Sequence, residues 1–444
     1  MASPSEESKF QFEAMGLLAR DKAFLDRHFG VSSVTDLEIT EVGTGNLNFI
    51  FRVVGPKGTM VVKKAPPYIR LVGKSWPLPA SRIRYERDYI LAANKAGPKF
   101  CPKVFLSDLQ KCIVAMEDMS GMDVWRDQIR SGDANEFVGE DVGPKLARVH
   151  FRTSDFGQSL EQRHEQIRTF FGNRKLIETT EQVFFKDPFY DAPLNKWKER
   201  APDLKHAVEK LQNDTKAKAK AYILRDRFLN SPQALLHGDL HTGSIFADSG
   251  KTSSGRVKAV AFDCEFAFYG PMGFDVGQLL GNMALGSFSQ CLYMKASGSQ
   301  KENAKRLKCA YSLIKQIESL WDSYVSAFKQ EFKEGGDSKG ESSTAKRMFP
   351  GSDPAFVEDF LRCVWTDTIG FASLAMIRRI VGIADAPEMR VQTSTRWRVE
   401  AVALSFAHRQ FVGVSPGEEE NADVFSGCKK FCRALETAVK KCCI

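Results

Sequence analysis

Along the first quarter of the chain, apolar and polar positions alternate in short bursts. The runs Leu37–Val42, Leu47–Val54 and Thr59–Lys64 read as strands, with Gly55-Pro-Lys-Gly58 as a tight turn between the last two. Val104–Ser107 and Cys112–Glu117 add two more strands. Two stretches break the alternation. Residues 12–29 read as one helix ended by Gly30, and residues 81–95 place Ile83, Ile90 and Leu91 on one side of another. The block of five strands ends near residue 120.

Beyond it the period lengthens. Helical spacing recurs over 136–152, 195–229 and 300–333. Asp353-Pro354 supplies an N-cap and a first-turn proline for a further helix carrying Phe356, Phe360 and Val364. Strand-like pieces return only within 234–262, around a Gly/Ser-rich connection (249–255) that reads as a flexible hairpin loop. Residues 334–347 read as a mobile polar insertion, and residues 1–11 as a disordered N-terminus. The fold class expected is α+β in two lobes: a small antiparallel-sheet N-lobe over 12–119 and a large, mainly helical C-lobe over 120–444.

Bulk properties narrow the classes. A chain of 444 residues is too long for one small core, and 43% hydrophobic with 27% charged residues is ordinary for a folded protein. The net charge of +8 is spread without a concentrated basic stripe, so nucleic acid is not an expected partner. No apolar run is expected to approach the ~20 residues that span a bilayer, and the polar N-terminus lacks a signal peptide. The ten cysteines show no paired CxxC spacing. A reducing, cytoplasmic setting follows. Cys428 and Cys432 fit core packing of a final helix, and Lys441 occupies the position that a prenylation signal reserves for cysteine.

The candidate chemistry lies in two short segments after apolar runs. His237-Gly-Asp-Leu-His-Thr-Gly-Ser244 sets Asp239 between two histidines, and Asp263-Cys-Glu265 follows the run Val257–Phe262. Carboxylates at strand ends suit phosphoryl transfer, one aligning a hydroxyl and others holding Mg²⁺. Asp239 is the aligning candidate. His237 and His241 are alternative bases, although a packed loop anchor is the commoner fate of a histidine like His237. Asp263 and Glu265, two apart on an extended segment, should point the same way and share a divalent cation through oxygen ligands. Gly43-Thr-Gly-Asn-Leu-Asn48 suits phosphate approach or simply a turn. Lys63 and Lys64 face opposite ways on their strand, and Lys63, sharing a face with Val61, is the candidate for the cleft. Glu86 on the next helix is its candidate partner, and the main chain of Glu117-Asp118-Met119 could meet a nucleotide base.

These segments resemble the S-methyl-5-thioribose kinases. The resemblance is carried by His237–Phe246, by Asp263-Cys-Glu-Phe-Ala-Phe-Tyr-Gly-Pro271, by Gly45-Asn-Leu-Asn48, by Val62–Arg70 and by Met376-Ile-Arg-Arg379. It covers about residues 12–412. That family belongs to the aminoglycoside-phosphotransferase-like group with a protein-kinase-like fold. Ser244 stands where the wider group usually carries asparagine, and Asp-Cys-Glu replaces its usual metal segment; both are features of the methylthioribose kinases. The resemblance implies transfer of the ATP γ-phosphoryl group to the anomeric hydroxyl of methylthioribose, in methionine salvage, by a homodimer. It implies ATP and Mg²⁺ as cofactors. Asn46 and Lys63 would bind phosphates, and Glu117, Asp118 and Met119 would meet the adenine. Asp263, Cys264 and Glu265 would serve nucleotide and metal, with Asp263 and Glu265 as the metal ligands. Asp239 and an arginine from the Arg378–Arg379 pair would hold the sugar, Arg378 the more inward. Trp76 or Trp365 could cover the methylthio tail. Rival readings are a related small-molecule kinase for choline, fructosamine or an aminoglycoside, and a nucleotide-binding scaffold without activity.

Overall fold

The computed structural model describes residues 6–43, 47–70, 73–248, 259–334, 354–394, 396–413 and 424–443. In chain order the first strands are β1 (Glu38–Glu41), β2 (Phe49–Val54) and β3 (Thr59–Lys64). A small hairpin follows, β4 (Tyr68–Ile69) with β5 (Gly73–Pro77), then β6 (Val104–Asp108) and β7 (Ile113–Glu117). Five of them form one antiparallel sheet in the order β1-β2-β3-β7-β6.

The two faces of that sheet are covered differently. Helices α1 (Glu6–Leu18) and α2 (Lys22–Phe29) pack Phe10, Leu17, Leu25 and Phe29 on one face, against Phe51, Met60 and Val62. Helix α3 (Arg82–Ala96) lies on the other with Ile83, Tyr89 and Ile90 buried. Two expectations change here. The single helix over 12–29 is two, because the Asp21 side chain caps α2 by accepting from the Phe24 amide at 2.8 Å. The disorder expected over 1–11 does not hold from Glu6 onward, where α1 begins and Phe10 packs on Phe49 with ring centroids 4.9 Å apart; residues 1–5 lie outside the described residues.

Past Glu117 the chain is mostly helical. Helices α4 (Trp125–Ser131), α5 (Val138–Arg152), α6 (Leu160–Phe171), α7 (Arg174–Glu181), α8 (Trp197–Arg200), α9 (Lys205–Gln212) and α10 (Thr215–Asn230) lead to the site. The stretch expected as one helix over 195–229 is thus three, the last capped by Asp214, which accepts from the Lys216 and Ala217 amides. Short strands β8 (Asp123–Val124), β10 (Ile245–Ala247) and β11 (Ala259–Ala261) form one small sheet, and β9 (Ala234–Leu236) pairs with β12 (Phe268–Gly270). The connection over 249–255 and the insertion over 335–347 lie outside the described residues.

The C-terminal core is built on α11 (Gly273–Ser297), α12 (Gln300–Glu334), α13 (Pro354–Val381), α14 (Arg396–Gly413) and α15 (Ser426–Cys443). Helices α11 and α13 touch backbone to backbone. A Cβ added at Gly277 would lie 2.6 Å from the Thr368 carbonyl oxygen, and one at Gly281 2.5 Å from that of Ala372, so only glycine permits this seam. By length and composition α13 is apolar enough to cross a bilayer, which corrects the expectation that no run comes close. Its apolarity serves packing, since 78% of the apolar window is buried. Cys428 and Cys432 of α15 are buried against the Ile317 and Ile314 carbonyls of α12, the core packing expected of them.

Trp321 of α12 is fully buried, packs on Trp365 and Tyr324, and donates its indole N–H to the Val424 carbonyl at 3.0 Å. Trp321→Ala should cost about 3–5 kcal/mol of stability. Urea unfolding measures this, and a loss below about 1 kcal/mol would contradict the packing described.

Candidate active site

The loop after β9 is shaped by buried hydrogen bonds. Asp275, in the first turn of α11, accepts from the amides of His237 (2.7 Å) and Gly238 (3.0 Å), and Gln278 donates to the Gly238 carbonyl at 2.9 Å. Gly238 has φ +82°, and a Cβ there would lie 2.2 Å from the Phe266 carbonyl oxygen. The His237 ring accepts from the Asp239 amide at Nδ1 (3.3 Å), so its Nε2–H donates to the Phe262 carbonyl (3.0 Å). Fully buried, it is a loop anchor. The Ser244 hydroxyl receives the His241 amide at 2.8 Å and lies 2.9 Å from the Asp239 carbonyl oxygen, so it too is spent on loop shape.

Asp239 emerges from this frame with its side chain 27% exposed. Arg378 Nη2 stands 3.1 Å from Oδ1, and His241 Nε2 stands 3.4 Å from Oδ2. Burial would raise the Asp239 pKa, but His241, Arg378 and Arg379 outweigh it and hold the carboxyl well below its usual range. Burial lowers His241 to about 3; Asp239 pulls the other way, and Arg126 and Arg379 add to the lowering. His241 is therefore neutral at working pH and is no poised base.

Of the two arginines near the end of α13, Arg378 reaches Asp239 and lies over the Phe184 ring at 4.1 Å, within the π-helical turn Gln182–Lys186. Arg379 donates to the Asp385 carbonyl at 2.8 Å, and burial pushes its pKa down to about 9.

The Asp239 charge bears on Asp263, and Asp263 pairs with the lysine of β3. Lys63 donates to Glu86 of α3 at 2.8 Å and to Asp263. Burial alone would lower Lys63, but Asp263, Glu86 and Glu265 together raise it well above its ordinary value, so it stays charged. Burial pushes Glu86 up to about 7 against the pull of Lys63. Lys64, on the opposite face, pairs with Glu13 of α1 at 2.7 Å.

The Asp263–Glu265 segment differs from expectation. Asp263 adopts φ +65°, a costly conformation for a non-glycine residue, so the segment is a turn and the alternation argument for the two carboxylates does not apply. Asp263 turns its half-exposed carboxylate to Lys63. Glu265 turns inward: its Oε2 takes Arg82 Nε at 2.9 Å and Asn48 Nδ2 at 3.0 Å, with both charged side chains 1% exposed. Glu265 Oε1 is buried with no hydrogen-bond partner among the described residues. Cys264 is buried with its thiol 3.6 Å from the Glu86 carbonyl oxygen, on the core side.

The other expected residues divide. Glu117 accepts from the Lys103 amide at 3.1 Å and Asp118 takes Arg52 at 2.8 Å, so both side chains are engaged, and the Glu117 amide is itself spent on the Lys103 carbonyl at 2.8 Å. Met119 follows directly, its carbonyl accepting from the Met122 amide. Asn46 lies outside the described residues. Trp365 is buried in the Trp321 and Phe431 cluster, which removes it as a cover for a substrate tail. Trp76 is half-buried on β5.

Sequence reasoning missed Arg82, Asp275, Arg126 and Glu388, and it offered Asn48 to phosphate where the side chain is spent on Glu265 and Arg82. Asp275 carried a usable signal, a lone acid at the head of a helix apolar all round. Arg82 carried none, since Arg82-Ile-Arg-Tyr-Glu-Arg87 reads as a solvated face. Chemically, the cleft joins a protected anionic carboxylate to a lysine with two nearby carboxylates. The described residues hold no ready cluster of three metal-ligating side chains, but the half-exposed Asp263 carboxylate and the unpartnered Glu265 Oε1 are oxygen donors of the kind a hard divalent cation takes. The whole suits phosphoryl transfer from a nucleotide to a hydroxyl.

The fold and site define a kinase-like phosphotransferase, and residues 38–298 match the phosphotransferase enzyme family. The methylthioribose kinase of Yersinia pseudotuberculosis is 32% identical over 380 residues, covering 84% of this chain and 85% of its own. That of a Geobacillus species is 34% identical over 357 residues, 80% of each. The chain belongs to the methylthioribose kinase family. A solved ethanolamine kinase from Plasmodium vivax aligns over 100% of this chain and 95% of its own with 13% identity and a TM-score of 0.40, too distant to bear on the site.

Arg82→Met leaves the buried Glu265 carboxylate without its cation. It should cost about 3–5 kcal/mol, read by chemical denaturation; an unchanged midpoint would show that Glu265 finds another partner or is neutral. Gly238→Ala should abolish turnover, checked by kinase assay on folded protein, because the methyl group has no room beside Phe266.

Proposed function

We propose that the chain transfers the γ-phosphoryl group of ATP to the anomeric hydroxyl of S-methyl-5-thioribose, giving ADP and the 1-phosphate, as a step of methionine salvage. The observation that carries the mechanism is Asp239, kept ionised between Arg378 and His241 and near enough to Asp263, the partner of Lys63, for their charges to interact.

In this reading Asp239 accepts the hydrogen bond of the acceptor hydroxyl and aims its oxygen at the γ-phosphorus. The proton passes to Asp239 as the O–P bond forms and the bond to the ADP oxygen breaks. A loose transition state asks little basicity early, so a carboxyl with a low pKa suffices. Arg378, beside Asp239, would meet the charge that accumulates on the transferred group. Lys63, held by Glu86, turns from Asp263 to phosphate oxygens. The glycine loop with Asn46 covers those phosphates, and the main chain of Glu117–Met119 meets the adenine. Asp263 and Glu265 would hold Mg²⁺, which when bound neutralises phosphate charge. The family resemblance supports a cytoplasmic homodimer, the second half of which a solution mass measurement tests.

The acceptor side also speaks about substrate charge. Arg126, Arg378 and Arg379 all bear on Asp239 or His241. Such a wall suits a neutral sugar that becomes a phosphate ester, and it repels choline or a polycationic aminoglycoside.

ADP release should require Mg²⁺ and methylthioribose, with little from choline or kanamycin-like amines; release indifferent to the sugar would defeat the substrate assignment. Asp239→Asn should lower kcat by about 10²- to 10⁴-fold while nucleotide binding survives. Near-normal turnover would remove the role given to Asp239.

A further inference from the structure

We propose that Arg126 and Glu388 are positioning residues for this reaction: Arg126 keeps His241 a neutral Nε2–H donor to Asp239, and Glu388 holds Arg126 against the His241 ring. The inference rests on the reading that Asp239 receives the acceptor hydroxyl.

The protons can be counted. Arg126 Nη2 lies 3.1 Å from His241 Nδ1, and the Gly243 amide donates to the same atom at 3.0 Å. Both are obligate donors, so Nδ1 carries no hydrogen and the ring proton sits on Nε2, beside Asp239 Oδ2. With Arg378 on Oδ1, each Asp239 oxygen has one protein donor and keeps lone-pair capacity for a hydroxyl. Protonating His241 would place a hydrogen on Nδ1, against the Gly243 N–H and the guanidinium. A cationic ring would also pair with Asp239 and compete with the acceptor. The Gly243 amide alone selects the tautomer; burial does most to keep the ring neutral, and the Arg126 charge adds to it.

Two independent features show that this contact is built. The guanidinium packs directly against Gly243, where an added Cβ would meet Arg126 Cζ at 2.3 Å. Glu388, from the short turn Pro387–Met389, is 1% exposed and neither of its oxygens has a hydrogen-bond partner among the described residues. Its Oε2 lies 3.2 Å from Arg126 Nε. A carboxylate so buried is sustained by cations, and the charges around His241 explain it: Arg126 from α4, Arg378 and Arg379 from α13, opposed by Asp239 and Glu388.

The test uses the full chain with ¹⁵N-labelled histidine, assigned with a His241→Asn control, beside steady-state kinetics. In the wild type the His241 signals should report the neutral Nε2–H ring down to about pH 5. In Arg126→Ala the ring should titrate at least about one unit higher, and the acid limb of the kcat profile should move up with it. The fall in kcat should be confined to the acid side of the profile, with kcat near neutral pH and the KM for ATP little changed. Arg126→Lys, which keeps the charge, should restore the titration and the acid limb, and Glu388→Gln should show the Arg126→Ala pattern in weaker form. An unchanged His241 titration and pH profile in Arg126→Ala would overturn the proposal, whatever happens to its melting temperature. An active Asp239→Asn would instead overturn the reading beneath it.

Discussion

One buried ion pair organises this molecule. Arg82 and Glu265 come from opposite lobes, and their side chains are each 1% exposed, 2.9 Å apart. Desolvating two such charges is costly, and the pair is sustained because the remaining guanidinium hydrogens are also used. They reach the carbonyls of Leu47, Pro66 and Pro79 and the Asn48 side chain. One arginine therefore sets the foot of the glycine loop, the segment leading to β4 and the turn carrying Asp263. Once Glu265 is drawn inward, the two-residue step back to Asp263 is made through a left-handed backbone, and that strain aims the Asp263 carboxylate at Lys63.

The cleft has two electrostatic halves of opposite character. On one side Lys63 stands among Asp263, Glu86 and Glu265, a surplus of carboxylate able to accept more positive charge. On the other, Asp239 stands among Arg378, Arg379 and the neutral His241. Neither half is balanced by itself. A cation beside the first and a phosphoryl group between the two would complete both, so the polarity of the reaction is already written into the resting protein.

Much of this was legible in the chain. Asp239, Asp263 and Lys63 stood out because short polar motifs end apolar runs, and strand alternation separated Lys63 from Lys64. The five-strand sheet was legible for the same reason. What failed did so for physical causes. Alternation says nothing once φ turns positive, so the inward course of Glu265 could not be read. Arg82 and Glu265 are separated by 183 residues, and a charged residue whose partner is that distant looks like any solvated one. The continuous apolarity of α11 has no period to read, and the caps at Asp21 and Asp214 divided stretches whose spacing looked unbroken.

The glycine seam between α11 and α13 divides the labour within the cleft. The first turn of α11 carries Asp275, which holds the Asp239 loop, and the last turn of α13 carries Arg378. Because those helices meet backbone to backbone, the carboxylate and its arginine belong to one unyielding block. Lys63 belongs to the sheet on the far side of the cleft. On the proposed roles, relative travel of the lobes would change how the nucleotide is presented while Asp239 and Arg378 kept their mutual geometry, which would make choosing a substrate and gripping ATP mechanically separable tasks.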